Sequence, residues 1–195
     1  MTDRPIIRPT IRDVLDAWFL PLDDPAHGHR RELWWQSTPA FDAELRERFG
    51  AASTAAIAGG LDAWTRSPDG ALALVLLCDQ VPRNIHRRSE RAFEGDARAR
   101  DIARLALARH YPAAFVVPMR QFFYLPFEHS ESLADQELSC TLFESCDDPE
   151  TLKFAVAHRD IVARFGRFPH RNEVLGRASS DDELDYLRTA NRFGQ

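Results

Sequence analysis

Residues 71–84 read ALALVLLCDQVPRN, and residues 71–78 are all apolar. Leu and Ala outnumber β-branched residues in this run, which favours a helix over the buried strand that so short a segment could also form. A helix that is apolar on every side is typical of the centre of a domain. The run ends in Asp79 and Gln80, and Pro82 is expected to end or kink it. The stretch therefore predicts a central buried helix with polar groups at its carboxyl end.

Helix signals continue on the amino-terminal side of this run. Thr10 is a favourable N-cap, and the apolar residues after it keep helical spacing until Pro21 ends the helix. Pro39 suits the first turn of a second helix, which we expect to end at Gly50 because glycine is common just past helix ends. Both segments are amphipathic, with one apolar face each.

The carboxyl-terminal side carries equally clear helix starts. Asp148 followed by Pro149 is an acidic cap with proline at the first helical position, and Gly166 is a natural end for that helix. Ser180 and Glu183 form a capping-box pattern that opens a last helix. No segment alternates apolar and polar residues over a useful length, so strands are not expected. The sequence predicts an all-α fold of about eight to ten helices, antiparallel to their neighbours because the connections are short.

The composition narrows the class of protein. The chain has 195 residues, 44% of them hydrophobic and 28% charged, and we expect a single helical domain over residues 1–195 with short flexible ends near 1–9 and 191–195. The net charge of −5 argues against a nucleic-acid partner. The longest apolar run is too short to span a membrane, and three cysteines do not suggest a disulfide framework. With no secretory signal visible, we expect a cytoplasmic protein.

Three polar parts of the sequence stand out as sources of chemistry. The central run ends in residues 79–84, and the stretch 121–131 passes from aromatic into ionisable residues. Segments 158–160 and 167–172 crowd arginine and histidine together. An ionisable group that follows a buried apolar run must be paired or lie at the edge of the core. We therefore expect these parts to meet around one polar hollow.

Glu128 and His129 are the candidate catalytic residues. A Glu beside a His suits general acid and base catalysis, with His129 as the acid or base and Glu128 as its orienting group. The structural alternative is a His129 satisfied by a carboxylate, with Glu131 helping to start the next helix. His and carboxylates would also suffice as metal ligands, but neither HExxH nor ExxH is present, so no metal site is predicted. The sequence does not identify a cofactor.

The other candidate site residues are expected to bind a ligand. Arg159 shares an apolar helix face and should have a buried acidic partner, Glu128 or Glu131. The loop 167–172 is dense in donors, which favours a carboxylate or phosphate, although the same groups could equally tie helix ends and loop carbonyls together. We predict a site for a small anionic molecule. Its candidate ligand-binding residues are Asp79, Arg83, Asn84, Glu131, Arg159, His170, Arg171 and Asn172.

Three long segments occur in a fixed order: LALVLLCDQVPRNIHR, QFFYLPFEHSESLADQE and HRDIVARFGRFPHRNEVLGR. Together with VLDAWF and FDAELRERFG nearer the amino terminus, they resemble the family called domain of unknown function 924 over nearly the whole chain. The resemblance implies an all-helical, tetratricopeptide-like fold of bacterial proteins, superhelical or bundled, and it implies no activity, cofactor or substrate. The sequence departs from the family pattern at Val81 and His86, and either residue could alter the lining next to Arg83.

Different functions stay open from the sequence alone. The preferred hypothesis is a protein that binds a small anionic ligand. The second is an enzyme that uses His129 and Glu128 and is metal-assisted in one variant. The third is a scaffold that binds a protein through exposed aromatic residues such as Trp34, Trp35 or Phe168. The sequence leaves a protein partner or a homo-oligomer open in each case.

Overall fold

The helices begin where caps in the sequence predict them. Thr10 starts the first helix with a capping box. Asp148 accepts hydrogen bonds from two amides of the helix that follows it, and Gly166 ends that helix in the left-handed conformation with φ of 68°. Ser180 and Glu183 form a second capping box at the start of the last helix. These caps satisfy amide groups that a helix start would otherwise leave unpaired.

The computed structural model describes residues 9–189, and this part of the chain is helical and contains no strand. Its helices are α1 (Ile11–Phe19), α2 (Pro39–Ile57), α3 (Pro68–Val75), α4 (Val81–Ile85), α5 (Asp96–Ala108), α6 (Val117–Arg120), α7 (Leu125–Glu128), α8 (Leu133–Glu144), α9 (Pro149–Phe165) and α10 (Asp181–Leu187). The predicted all-α class with about eight to ten helices is confirmed. No helix in the described range has the length and apolar character needed to cross a bilayer. The ends expected to be flexible, 1–9 and 191–195, lie outside the described residues apart from Pro9.

Two finer predictions about the architecture stay predictions. These are the single domain over 1–195 and the tetratricopeptide-like arrangement of the helices. Among consecutive helices, α7 packs on α8, and α8 packs most extensively on α9. Helices α1 and α5 pack on α3, and α2 packs on α4.

Helices α3 and α4 form one continuous rod through the centre of the molecule. A wider, π-helical turn at Leu76–Gln80 joins them. Residues 71–78 are each 0% exposed, so the predicted central helix is confirmed. The sequence predicts an end or a kink at Pro82, but the rod continues to Ile85. The wide turn explains the difference, because it makes room for a proline ring that a regular helix would not accommodate.

Gly95, the residue before α5, packs its backbone directly on this rod. A Cβ atom at Gly95 would lie 2.0 Å from the carbonyl oxygen of Cys78, so no larger residue fits. The contact sets Asp96, the first residue of α5, beside Arg83 of the rod. The position of α5 is thereby tied to the polar end of the central helix.

An aromatic cluster fixes α1 and the loop after it. Trp18, Phe19, Trp34 and Phe122 contact one another edge to face with ring centroids 5.0 to 5.9 Å apart. The indole nitrogen of Trp34 also donates to the carbonyl of Trp18 at 2.8 Å. Edge-to-face contacts of this kind add to the free energy gained by burial. They hold the turn Glu32–Trp34 in place, and Trp34 lines a cavity.

Helix α2 corrects one prediction from the sequence. It runs from Pro39 to Ile57 and does not stop at Gly50. A Cβ atom on Gly50 would meet only the side chain of Ile85, at 3.8 Å, so the glycine answers no steric need. A glycine inside a helix costs only about 1 kcal/mol relative to alanine. The burial of Phe49 and Ala52 on either side offsets that cost.

Candidate functional site

A cavity of about 610 Å³ opens beside the carboxyl end of the central rod. Its volume lies within the range of small-molecule sites. Its cationic and ionisable lining residues are Arg30, Arg83, Arg87, Glu128, His129 and His158. Its carboxamides are Gln36, Gln80, Asn84 and Gln121. Its apolar walls are Trp34, Trp35, Leu125, Phe143 and Phe154.

Asp79 and His129 form a pair at the base of the cavity. Oδ1 of Asp79 lies 2.8 Å from Nδ1 of His129 and 3.1 Å from Nη1 of Arg83. The wide turn of the rod supplies Asp79, and His129 follows the last residue of α7. Asp79 is 0% exposed and bonds to Nδ1 of His129, which lines the cavity, while Nε2 of that ring makes no hydrogen bond to the described residues.

The charges of this pair follow from its surroundings. Burial raises the pKa of Asp79, but the Arg83 guanidinium and the His129 ring outweigh it and hold that pKa below its ordinary value. Burial and the charge of Arg83 lower the pKa of His129, against the attraction of Asp79. At neutral pH Asp79 is therefore ionised and His129 is neutral. A carboxylate only accepts hydrogen bonds, so Nδ1 carries the ring hydrogen and Nε2 keeps its lone pair.

Glu128 carries a proton at neutral pH. It is 5% exposed, and burial together with the nearby charge of Asp79 raises its pKa to about 8. Its Oε1 lies 3.3 Å from Nδ1 of His158, and burial lowers the pKa of His158 to about 3. That Nδ1 also donates to the carbonyl oxygen of Phe154 at 2.8 Å. Because both groups are neutral at pH 7, the contact between Glu128 and His158 is not an ion pair.

The carboxamides that line the cavity differ in the hydrogen bonds that they already make to other residues. Gln80 donates to Asp79, and Asn84 donates to the hydroxyl of Ser37 at 3.0 Å and to Asp42 at 2.8 Å. Gln121 is 4% exposed, yet its carboxamide makes no hydrogen bond to another side chain or backbone group of the described residues. Nearly buried polar groups normally have such partners. Gln121 is therefore open to whatever fills the cavity.

The outer part of the cavity is cationic and aromatic. Trp35 is 41% exposed, and the guanidinium of Arg30 lies 6.0 Å from its ring. Arg30 also lies 3.7 Å from Asp148, a loose ion pair with the Arg30 side chain 49% exposed. Arg87 donates from Nε to Asp42 at 2.8 Å. Exposed ion pairs such as these contribute about 1 kcal/mol or less, so a ligand can exchange for the carboxylate at low cost.

The structure brings a first group of the sequence-predicted site residues to this cavity. Arg83, Asn84, Glu128 and His129 line it, and Asp79 lies directly behind His129. Asp79, and not Glu128, is the group that orients His129, which corrects the predicted roles. Successive residues at a helix end do not face each other, so Glu128 reaches His158 while the ring beside it in sequence reaches the rod.

Arg171, also predicted to bind the ligand, belongs to a different part of the molecule. Its guanidinium lies between the rings of Phe93 and Phe168, 4.6 Å from each centroid, and 3.5 Å from Asp96. Asp96 in turn accepts both arms of Arg83 at 2.7 and 3.0 Å. Arg171 does not line the cavity. The aromatic sandwich and the shared carboxylate hold it behind the cavity wall.

Glu131 and its neighbours in the 167–172 loop are likewise engaged elsewhere. Glu131 accepts both arms of Arg177, at 2.7 and 3.0 Å, and the amide of Phe168 at 2.9 Å. Asn172 donates to the hydroxyl of Ser179 at 3.0 Å. The ring of His170 lies 5.4 Å from that of Phe168. None of these residues lines the cavity, and we call Asp96, Arg171, Glu131 and Arg177 the arginine network.

Arg159 corrects the sequence prediction most directly. Its side chain is 37% exposed and pairs with Asp160 at the surface, not with Glu128 or Glu131. Helix α9 turns His158 toward the core, which carries the next residue outward.

The two departures from the family pattern do not line the cavity. Val81 is 1% exposed and belongs to the hydrophobic core. His86 is the C-cap residue of α4 and is not among the lining residues. The lining next to Arg83 is therefore formed by other side chains.

Several lining residues were not identified as site residues from the sequence. Thr151, Phe154 and His158 lie at i, i+3 and i+7 on one face of α9, and that spacing is a signal from which this wall could have been found. Gln121 and Arg30 carry no comparable signal, since packing between distant segments places them. No cluster of three or more His, Cys, Asp or Glu side chains in residues 9–189 is arranged to hold a metal ion.

Comparisons with known proteins agree with one another. The model of the family described as bacterial protein of unknown function (DUF924) matches residues 14–191. The solved structure of a protein of unknown function, ATU0120, from Agrobacterium tumefaciens is similar with a TM-score of 0.83 and 38% identity, over 92% of this chain and 97% of that one. No protein with a curated description matches the sequence. Since the family match covers most of its length, this chain belongs to the DUF924 family of bacterial proteins.

Proposed function

We propose that the cavity binds a small molecule that carries a carboxylate or phosphate group on an apolar or planar body. The observation behind this proposal is the cavity of about 610 Å³ on which arginines, carboxamides and aromatic rings converge. Pockets that combine apolar walls with a few fixed polar groups are typical of small-molecule sites.

The charge of the lining favours an anion. Arg83 is already held by Asp79 and Asp96, so the arginines that meet the ligand are Arg30 and Arg87 at the rim. Glu128 keeps its proton at neutral pH because its pKa is about 8, and it therefore does not repel an anionic group. Guanidinium groups match carboxylates and phosphates with paired hydrogen bonds.

The aromatic walls favour an apolar or planar body. Trp35, which lines the cavity, stacks on Phe122 with the two rings 7° from parallel. Phe143 and Phe154 line the cavity from α8 and α9. A flat or aliphatic group between these walls would lose water from most of its surface.

Calorimetry and thermal unfolding test this proposal. The probes are phenylacetate, glutarate and phenyl phosphate, with phenylacetamide as the uncharged counterpart. We expect the anions to raise Tm and the amide to raise it less. Arg30→Gln should weaken binding by about tenfold, as expected for a lost charged hydrogen bond. The control Arg188→Gln changes an exposed arginine that directly follows α10 and does not line the cavity, and this variant should bind as the wild type does.

Two results would overturn the proposal. Equal binding of acid and amide, or unchanged binding by Arg30→Gln, would remove anion recognition. The absence of a thermal shift with every probe would remove the ligand site itself.

The scaffold hypothesis receives less support. Of its three aromatic anchors, Trp34 is 5% exposed and Phe168 is 0% exposed. Only Trp35 among them reaches solvent, and it does so at the rim of the cavity. A protein interface would need a cluster of exposed anchors.

A further inference from the structure

The cavity exposes polar atoms that the fold itself does not use. Nδ1 of His129 bonds to Asp79, whereas Nε2 has no hydrogen-bonding partner among the described residues. Glu128 meets only His158, at 3.3 Å, and the carboxamide of Gln121 is likewise open. Nε of Arg171 and Nε of Arg177 in the arginine network are also buried without partners, but neither residue lines the cavity. The open polar groups of His129, Glu128 and Gln121 belong to residues that line one cavity, and this arrangement suits a reaction.

We propose that the cavity hydrolyses an ester bond in a small anionic substrate, with His129 as the general base, Asp79 as its positioning residue and Glu128 as the general acid. This inference rests on the proposed function, because the substrate enters as the small anion that the cavity binds. It adds a reaction and assigns a separate role to each of these side chains.

The base is held from two sides. Asp79 fixes the ring of His129 through the 2.8 Å contact, and Arg83 fixes Asp79 through the 3.1 Å contact to the same oxygen. Asp96 of α5 in turn pairs with Arg83. The orientation of the His129 ring is therefore restricted by Asp79, Arg83 and Asp96 together. The charged or titratable groups facing His129 are therefore Asp79, Arg83, Asp96, Glu128 and His158. A neutral imidazole in a fixed orientation can take a proton from water at Nε2.

The acid borders the same cavity. Glu128 is 5% exposed and has no arginine or lysine bonded to it among the described residues. Burial keeps its proton in place at neutral pH, since its pKa is about 8. Burial keeps Glu128 protonated and His129 neutral, so one residue can donate a proton and the other can accept one.

The reaction balances as an ordinary hydrolysis. Nε2 of His129 takes a proton from water while the water oxygen bonds to the acyl carbon, and the carbonyl π electrons move onto the carbonyl oxygen. When that electron pair returns, the bond between the acyl carbon and the leaving oxygen breaks, and Glu128 gives its proton to that oxygen. The products are a carboxylic acid and an alcohol. The proton on His129 then passes through water to the Glu128 carboxylate, which restores both residues.

Gln121 suits the charge that develops during this step. Among the buried carboxamides that line the cavity, that of Gln121 is the one that makes no hydrogen bond to a described residue. An amide N–H can donate to the carbonyl oxygen as that oxygen becomes negative. Gln80 and Asn84 already donate to Asp79 and Asp42.

The test uses two esters of glutaric acid that differ in their need for a general acid. The p-nitrophenolate group of mono-p-nitrophenyl glutarate departs without a proton. The methoxide group of monomethyl glutarate needs a proton in order to depart. We expect the wild type to hydrolyse both. His129→Gln should lower kcat/KM for both esters by about 100-fold or more. Glu128→Gln should lower it about 100-fold for the methyl ester and by less than about fivefold for the p-nitrophenyl ester.

The pH profile and matched controls separate these roles from a general loss of structure. The alkaline limb of kcat/KM for the methyl ester should lie near pH 8 and disappear in Glu128→Gln. Asp79→Asn should lower kcat while leaving KM nearly unchanged. The exposed residues Glu137 and His29 provide the same substitutions outside the cavity, and Glu137→Gln and His29→Gln should match the wild type within about twofold.

A chemical probe guards against a His129→Gln protein that fails to fold. Diethyl pyrocarbonate should acylate Nε2 of His129 in the wild type, with the site located by mass spectrometry, and hydrolysis should fall in step with that modification. If modification leaves hydrolysis unchanged, His129 is not the base. If the wild type hydrolyses neither ester, or if Glu128→Gln affects both equally, the inference is wrong.

Binding measurements distinguish this failure from failure of the proposed function. Glutarate binding by Glu128→Gln is measured by calorimetry alongside the wild type. Binding without hydrolysis would overturn the reaction and leave the binding site standing. Loss of both in the wild type would overturn both proposals.

Discussion

In the arginine network Glu131 accepts both arms of Arg177, whereas in the cavity Glu128 meets no described arginine and keeps its proton. The two glutamates are separated by only two residues. Burial raises the pKa of each, but around Glu131 the Arg177 guanidinium and the Phe168 amide outweigh burial and bring the pKa below its ordinary value. Around Glu128 nothing opposes burial, and the pKa rises to about 8.

This difference separates two uses of the same residue types. Saturated pairs, in which every carboxylate oxygen has a donor, hold segments together and leave nothing for a ligand. Unsaturated groups beside an opening hold little together and are available for chemistry. Substitutions in the arginine network, at the cavity and between the two regions test this division.

The largest effect is expected at Gly95, which lies between them. In Gly95→Ala the new Cβ would meet the carbonyl oxygen of Cys78 at 2.0 Å, and α5 would have to move together with Asp96. We expect a loss of about 4 kcal/mol or more, at the upper end of point-mutant effects. Urea unfolding measures it. Gly50→Ala is the control, because its nearest neighbour is at 3.8 Å, and it should stabilise α2 by up to about 1 kcal/mol.

Asp96→Asn should have the next largest effect. Asp96 accepts both arms of Arg83 and lies near Arg171, so its neutralisation leaves two buried guanidinium groups with too little negative charge. Breaking a buried pair in this way costs about 3 kcal/mol or more. The exposed Asp160 offers a control, and Asp160→Asn should change the free energy of unfolding by less than about 0.5 kcal/mol. Equal effects at both sites would refute the description of the arginine network.

The two glutamates should respond to pH in opposite directions. The folded protein binds the Glu128 proton more tightly than the unfolded chain does, so this contribution to stability is full below pH 4.5 and is lost as the pH rises through about 8. Relative to Glu128→Gln, the wild type should therefore lose on the order of 3 kcal/mol between pH 5 and 8. The lowered pKa of Glu131 gives a contribution that is present above pH 4.5 and is lost as the pH falls.

Glu131→Gln should consequently destabilise the protein by about 2 kcal/mol at pH 7, with the difference from the wild type shrinking in acid. Denaturant unfolding of both variants at several pH values measures the two slopes. Slopes of the same sign would contradict the contrast between the glutamates.

The smallest effect is expected at Arg159. Its side chain is 37% exposed and bonded to Asp160, so Arg159→Ala should change stability by less than about 0.5 kcal/mol and leave glutarate binding unchanged. A large loss would mean that this arginine reaches inward after all, as its helix face first indicated.

Local rules explain which parts of the fold could be predicted. Thr10, Asp148 and Ser180 cap helices through neighbouring amides, so the necessary information lies within a few residues of each. The burial of residues 71–78 follows from their uniform apolarity. The predicted helix end at Gly50 was wrong, because glycine often ends helices but also occurs inside them when the flanking residues are well buried.

The site depends on which face of its helix each residue occupies and on contacts between residues that are distant in sequence. A short stretch of sequence determines neither of these. Asp79 and His129 are 50 positions apart, and their meeting is set by how the rod packs on α7. On α9 a single step along the helix decides that His158 faces the cavity while Arg159 faces solvent. The sequence thus indicated the residue types of the site, and the packing of helices selected among them.

The wide turn at Leu76–Gln80 has a consequence for how this protein can change over generations. Such a turn is equivalent to a regular helix that has gained one residue. Deleting one codon within 76–78 would restore an ordinary helical repeat, and the ring of Pro82 would then clash with the carbonyl group one turn before it. A lineage that loses this extra residue would therefore have to replace Pro82 as well to keep the rod straight, so the two changes should occur together among relatives.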